Sequence, residues 1–486
     1  MNAEDNGNIA QDVDLKAIRR IHLVGVAGTG MGSFAGMLKA AGYQVTGSDE
    51  NVYPPMSEML AKWEIPAFTP YGALNLDRAR PDLVIIGNVI RRVNAEAAEV
   101  RSRRVPQMSF PSALGEFFLK PRHSVVVAGT HGKTTTSAML AHILVSAGKD
   151  PSFLVGGVTQ NYSGNYRLGK GPHFVVEGDE YDTAYFDKGP KFLHYQPKTA
   201  ILTSVEFDHA DIYRDLAHYE SSFKAFVELL PRDGLLAVSA SYPNAVALAK
   251  NCRGKVVTYS ANANPSRAAD VQSTAVRFQE SGTAFKVIEN GQNKGELFLP
   301  LGGMHNVENA LGVFVALRGL GLSVDQIREG MASFQGVKRR QEQRACIRDI
   351  LVLDDFAHHP TAVLETIRAV RHRYPQRRLW AIFEPRSNTS RRNIHQNQYA
   401  DAFQGADRAV IKVPDHHDKV PREEELNVPK IVENLNQQGI EARAETSIEE
   451  MVSFIAKQAQ PGDALLVMSN GSFGGIIEKL IEALSA

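Results

Sequence analysis

Two cysteines, Cys252 and Cys346, are all that 486 residues contain. That excludes a disulfide scaffold and leads us to expect buried free thiols in a reducing compartment. Neither charge is in surplus: 54 Lys and Arg balance 54 Asp and Glu, so no global field draws nucleic acid or an acidic membrane. No apolar run approaches the ~20 residues that span a bilayer. The opening residues, MNAEDNGNIAQDVDLKAIRR, are polar and lack the apolar stretch of a secretory signal. Fixed-period repeats and low-complexity tracts are absent too. These absences predict a soluble, cytoplasmic protein with no nucleic-acid and no membrane partner.

The hydrophobic content, 43%, is enough for several cores, and at about 150 residues per domain the length predicts three. Strand-like and helical runs alternate almost throughout, which argues for α/β layers with parallel sheets. We place a polar extension at 1–20 and domains at 21–120, 121–335 and 336–486. Pro121 punctuates a helix running from Phe110 to Leu119, and residues 251–300 read as a small β excursion of the central domain.

The chemistry concentrates at strand ends. Residues 124–136 read SVVVAGTHGKTTT, a β-branched run feeding a Gly-Lys-Thr turn and a helical stretch. Such a turn aims unpaired backbone N–H groups and the positive end of a helix at one point, where phosphate oxygens bind. Lys133 is then placed to reach terminal phosphates and Thr134 to hold Mg²⁺. In G-x-x-x-x-G-K-[ST] the leading glycine would fall at Val127, so Gly129 must supply the tight turn.

Glycines 25, 28, 30 and 32 follow an earlier strand, and Asp49 ends the next. A dinucleotide fingerprint fits only in the register Gly30, Gly32, Ala35, and with a triphosphate site downstream a diphosphate site is the better reading than NAD. Glu177 ends a further strand and is the carboxylate we choose for Mg²⁺, with Asp182 read as solvated. His209, flanked by Asp208 and Asp211, is a candidate metal ligand or phosphate contact. Asp355 could sit against a ribose, with the histidine pair after it no more than a turn before Pro360. Lys224 reads as a surface helical lysine, Arg391 and Arg392 as surface charges.

Six motifs in order, GTHGKTTT, EGDEYD, EFDHADIY, GMHNVEN, GVKRR and DDFAHHPT, resemble those of the Mur ligases, the ATP-dependent amide ligases that build the peptide of bacterial cell-wall precursors. The resemblance runs from Ile21 onward. It implies an α/β fold of three domains: an N-terminal Rossmann-like UDP-binding domain, a central P-loop ATPase-like domain and a C-terminal Rossmann-like domain. It also implies ATP as co-substrate and Mg²⁺ as cofactor.

Carried over residue by residue, it implies ATP contacts from Gly129, Thr130, His131, Gly132, Lys133, Thr134, Thr135, Asn306, Asn309, Arg340 and Asp355. Mg²⁺ would lie at Thr134, Glu177 and His209, and Lys133, Glu177, His209 and Arg340 would be catalytic. Gly28, Thr29, Gly30, Met31, Ser48 and Asp49 would hold the UDP-sugar. Arg339 competes with Arg340, because Gln341 stands where the family usually has an aromatic residue. Some family members carbamylate a lysine near the position of Lys224.

Members with these motifs share UDP-N-acetylmuramate as donor and differ in acceptor. One branch takes L-alanine, the other the recycled murein tripeptide L-alanyl-γ-D-glutamyl-meso-diaminopimelate. Residues 51–57 (NVYPPMS), 181–188 (YDTAYFDK), 384–389 (EPRSNT) and 468–475 (MSNGSFGG) resemble the tripeptide branch. That implies Arg386 and Ser387 at the acceptor's carboxylates, which suit a guanidinium. The alanine-adding ligase is the alternative.

Overall fold

The computed structural model describes residues 14–54, 56–162, 164–262, 269–416 and 420–486. Most of the expected N-terminal extension, and Pro55 of the 51–57 segment, lie outside the described residues.

In the first domain β1 (Arg20–Val24), β2 (Gln44–Ser48), β3 (Ala67–Phe68), β4 (Leu83–Ile86) and β5 (Gln107–Ser109) form a parallel sheet in the order β3-β2-β1-β4-β5. Ile21, Leu23, Val24 and Leu83–Ile86 are buried, as apolar runs in a parallel sheet covered on both faces must be. Chain order reverses between β1 and β4, so the glycine turn after β1 opens at the switch point of the sheet. The helix expected from Phe110 to Leu119 is α-helical to Leu114 and then a π-helical turn from Gly115 to Leu119. At Gly115 a Cβ would fall 2.5 Å from the His194 carbonyl, so only glycine fits where the widened turn passes the next domain.

The central domain holds ten strands. These are β6 (His123–Ala128), β7 (Ser152–Leu154), β8 (Tyr166–Arg167), β9 (His173–Gly178), β10 (Thr199–Leu202), β11 (Leu235–Ser239), β12 (Lys255–Ser260), β13 (Val271–Gln279), β14 (Gly282–Glu289) and β15 (Gln292–Leu299). Their order is β15-β14-β13-β12-β11-β10-β6-β9-β7-β8. Residues 251–300 thus form the β-rich end of the central domain's own sheet. β12 and β13 extend the main sheet in parallel, and β14 and β15 add antiparallel to it. β6 lies between β9 and β10, with Val127 opposite Glu177 and Ala128 opposite Leu202. The segments after all three strands thus emerge at one sheet edge.

At the opposite end of β6, His123 faces His173 of β9, with ring centroids 5.6 Å apart. Burial, then the neighbouring His173, pushes His123 down to about 4 from an ordinary 6.5. The unfolded chain therefore takes up this proton before the folded one does. Stability should fall as pH drops from 6.5 to 4, by about 1–2 kcal/mol, because the half-buried ring is partly screened by solvent. Denaturant titrations of wild type and His123→Gln across that window are expected to show a shallower acid loss in the variant.

The third domain contains β16 (Glu342–Ile347), β17 (Ile350–Asp355), β18 (Arg378–Phe383), β19 (Arg408–Lys412), β20 (Glu441–Glu445) and β21 (Asp463–Met468), in the order β16-β17-β21-β18-β19-β20. The edge strand β16 is antiparallel to β17 and carries Cys346, which is exposed; Cys252 is intermediate. Neither is the deeply buried thiol expected: Cys346 lies on an exposed position of an edge strand, and Cys252 packs only at the margin of the central core.

The first and central domains share one apolar core. Phe118 packs on Phe34 (centroids 5.8 Å) and on Phe174 (6.4 Å), and Ser33 donates to Asn165 Oδ1 at 2.7 Å. The third domain has its own cores on both faces of its sheet. It touches the central domain through polar and ring contacts, such as Phe278 stacked on His372 at 4.4 Å and Asn388 donating to Asp211 at 2.8 Å. Polar interfaces of this kind leave domains free to move. Among the described residues no helix is long and apolar enough to cross a membrane.

Candidate active site

The phosphate loop is built by two glycines. Gly129 has φ +134° and Gly132 φ +79°; a Cβ would fall 2.1 Å from Thr203 Oγ1 at the first and 2.4 Å from Asn309 Oδ1 at the second. Both conformation and close approach demand glycine there. The leading glycine is dispensable because Val127 lies inside β6, wholly buried. The segment after β10 braces the loop: Thr130 N–H donates to the Ser204 carbonyl (3.0 Å), His131 N–H to Ser204 Oγ (2.9 Å), and Thr203 Oγ1 to the His131 carbonyl (2.6 Å).

Lys133 opens the helix Lys133–Ser146, and its Nζ donates to the Gly129 carbonyl (2.6 Å) and to Glu180 (2.9 and 3.1 Å). Burial opposes the ammonium charge, but Glu180 and Asp179 outweigh it and hold Lys133 above its usual range. Glu180 is 1% exposed and accepts in addition from Tyr219 Oη (3.2 Å). Sequence reasoning did not single out Glu180. The signal available was physical: a lysine curled into a buried loop needs a counter-charge, and three acids follow β9.

Two cavities flank the loop. One, of about 320 Å³, is lined by His131, Gly132 and Thr135, by Asn306 and Asn309, and by Arg340 and Asp355 of the third domain. The other, of about 420 Å³, lies between the first two domains and is lined by Gly28, Thr29, Gly30, Met31 and Asp49, facing Glu177. Asp49 accepts from Ala27 N–H (2.8 Å) and Tyr71 Oη (2.9 Å), so it also braces the glycine turn. Ser48 departs from its expected role as a UDP-sugar contact. Its hydroxyl is buried and donates to Glu96 (2.8 Å), a wholly buried carboxylate that also takes Asn75 Nδ2 (2.8 Å) and Gly72 N–H (3.0 Å) and pairs with His22 (2.7 Å).

Thr134 stands between the cavities. Its hydroxyl accepts from Arg340 at 3.5 Å on one side and meets the Glu177 carboxyl on the other. Glu177 is 8% exposed, and its Oε1 is buried without a hydrogen-bond partner. Burial, then Asp179, pushes it up to about 7. A buried carboxyl short of positive charge beside a threonine hydroxyl is a donor set that suits a hard divalent cation.

His209 does not join them directly. It has φ +53°, and its Nε2 lies 3.4 Å from Glu180. Burial lowers its affinity for a proton, but Glu180 and Asp208 outweigh that and lift it to about 9. As placed, it is a cation paired with Glu180. Among the described residues the trio of His and carboxylate ligand atoms lying within 4.8 Å of one another is a different one: His131, Glu206 and His359. His359 also caps the helix Pro360–Arg373, its Nδ1 accepting from Thr361 N–H at 3.3 Å.

The two candidate arginines separate cleanly. Arg339 donates to the carbonyls of Ser469 (2.7 Å) and Gly471 (2.6 Å) and lies 3.4 Å from Asp354, all within the third domain. Both guanidinium groups lie over the Phe356 ring, at 5.3 and 4.8 Å, but Arg340 reaches toward Thr134 of the central domain. Asp355 fixes that divergence, accepting from the N–H of Gln341 and of Ala357, both at 2.8 Å. Arg386 is exposed just beyond β18, packed so closely on Gly471 that a Cβ there would fall 2.1 Å from its guanidinium. The Ser387 hydroxyl donates to Ser390 Oγ at 2.9 Å. Lys224 is on the surface, its side chain 53% exposed and 3.9 Å from Glu228. Asp182 pairs with Lys188 at 2.7 Å.

The sequence matches three family profiles: Mur ligase family, catalytic domain, over residues 20–121; Mur ligase middle domain, over 127–317; and Mur ligase, glutamate ligase domain, over 339–471. It is 37% identical to a UDP-N-acetylmuramate–L-alanyl-γ-D-glutamyl-meso-2,6-diaminoheptandioate ligase of Haemophilus influenzae, over 96% of this chain and 99% of the relative. The enzyme of the same name from Escherichia coli is 38% identical over 96% of this chain and 98% of its own. A solved murein peptide ligase from Psychrobacter arcticus is similar at 35% identity and TM-score 0.70, over 96% of this chain and 98% of that one. A solved UDP-N-acetylmuramate–alanine ligase from Thermotoga maritima gives a higher TM-score, 0.77, at only 27% identity, over 95% and 98%. The two measures rank these structures oppositely. A global superposition also registers how mobile domains are turned, which sequence identity does not. The chain belongs to the Mur ligase family.

Proposed function

We propose that this protein joins UDP-N-acetylmuramate to the murein tripeptide L-alanyl-γ-D-glutamyl-meso-diaminopimelate, converting ATP to ADP and phosphate, in the cytoplasmic recycling of peptidoglycan. The observation that carries the reading is Thr134, in contact with Arg340 from the nucleotide cavity and with Glu177 from the cavity of the first domain. A phosphate bound by the loop would face an anionic sugar nucleotide across that one residue.

A carboxylate oxygen of the donor attacks the γ-phosphorus, and ADP leaves. Lys133 and Arg340 follow the charge that develops on the transferring group. The peptide's free amine then attacks the acyl carbon and phosphate departs with the oxygen it received. Thr134 and Glu177 would hold Mg²⁺, which would supply neutralisation of phosphate charge when bound; His209, a cation paired with Glu180, stands outside that donor set. Thr361 of the third domain reaches Glu206 at 3.4 Å beside the loop, so a seated third domain covers the acyl phosphate and excludes water.

The tripeptide is favoured over L-alanine because the relatives of higher identity carry it in their names and because Arg386 is exposed at the third domain's strand ends. Phosphate release from ATP with UDP-N-acetylmuramate, compared between the two acceptors, tests the reading. Turnover with the tripeptide is expected to exceed that with L-alanine; the reverse would move the protein to the alanine-adding branch.

A further inference from the structure

The cavity assigned to the donor has an unfavourable charge balance for its ligand. Its acids are Asp49, Glu177 and Asp179, and among the described residues that line it Lys191 is the one cation. A nucleoside diphosphate sugar bearing a carboxylate brings about three negative charges to it. Backbone N–H groups of the glycine turn answer the diphosphate. Nothing in that turn answers the carboxylate, which must reach the neighbourhood of Thr134 and Glu177 to meet a γ-phosphate.

Lys191 sits on that side of the cavity and is 9% exposed. It opens a short 3₁₀ turn, Lys191–His194, anchored by the wholly buried Phe192, whose ring packs on Phe226 at 4.8 Å. An ammonium has three N–H donors. One goes to Asp179 at 3.0 Å, and the charge lies over the Tyr181 ring at 4.1 Å. A donor remains for a ligand, and the ring and Asp179 fix where it points.

We propose that Lys191 binds the donor's carboxylate and positions it for attack on the phosphate, and so selects an acidic sugar nucleotide over a neutral one. This rests on the donor being UDP-N-acetylmuramate. UDP-N-acetylglucosamine, which carries the same nucleotide and sugar but no carboxylate, is the probe that isolates the contact.

The test is calorimetric binding of both sugar nucleotides to wild type, Lys191→Met and Lys191→Arg, with steady-state kinetics alongside. Wild type is expected to bind UDP-N-acetylmuramate at least tenfold more tightly than UDP-N-acetylglucosamine. Lys191→Met should lose most of that preference without weakening the neutral ligand, raise KM for the donor more than tenfold, and be partly rescued in Lys191→Arg. Equal weakening of both ligands, or an unchanged preference in Lys191→Met, would reduce Lys191 to a structural counter-ion of Asp179 and overturn the inference. Failure of wild type to bind either ligand would instead sink the assignment of the donor.

Discussion

Replacing Lys133 with alanine is expected to lower the ligation rate by at least about 10³-fold, the scale on which cationic groups at a transferring phosphoryl group act. The loss has two parts that can be separated. The ammonium is the nearer of two cations on Glu180, a carboxylate 1% exposed, so its removal leaves that buried charge to His209 alone, 3.4 Å away, at a cost of up to about 3 kcal/mol. Lys133→Met combined with Glu180→Gln should recover most of the stability, read by denaturant unfolding, and none of the activity. Recovery of both would make Lys133 a structural residue, and near-normal ligation by Lys133→Ala would remove it from the mechanism altogether.

The second large effect is expected at Glu177, where activity and stability should move in opposite directions. Its carboxyl is held at about 7 by burial and by Asp179, against an ordinary 4.5. The unfolded chain releases this proton from about pH 4.5 and the folded chain only near pH 7, so stability is lost across that window and stays lost above it. The full cost is about 3 kcal/mol. Glu177→Gln without Mg²⁺ should therefore be more stable than wild type at pH 8 and nearly equal to it at pH 4.5. Its ligation rate should fall about 10²–10³-fold. A variant no more stable at pH 8, measured by urea unfolding at both pH values, would contradict the reading of Glu177 as a carboxylate awaiting a cation.

What the sequence made legible follows from where the physics is local. β4, β6 and β17 carry continuous apolar runs because both faces of a parallel strand are covered, β1 carries one broken by the buried His22, and each could be read within a residue or two. β20, whose Glu441–Glu445 alternates charge with alanine, carries no such run because it lies at a sheet edge. The β12–β15 segment reads as β from composition, but its attachment to the main sheet depends on pairings across the whole domain. At the site, the glycine turns and strand-end acids stand out because local backbone geometry fixes them. Ser48 misled because its neighbour Asp49 does face the cavity, whereas the hydroxyl of Ser48, the last residue of β2, turns to the buried Glu96. The choice between Arg339 and Arg340 turns on Asp355 holding Gln341, a contact no local pattern carries. Glu180, Glu206 and Lys191 needed the fold to bring them to the phosphate loop and the donor cavity.

The central claim is that the phosphate loop activates a carboxylate of the donor. It is tested most directly by following oxygen from UDP-N-acetylmuramate labelled with ¹⁸O in its lactoyl carboxylate through one turnover with ATP and the tripeptide. Attack on the γ-phosphorus, then cleavage of the acyl carbon–oxygen bond by the amine, predicts one labelled oxygen in each phosphate released. Phosphate free of label would show that the carboxylate never bonded to phosphorus, and would contradict the account.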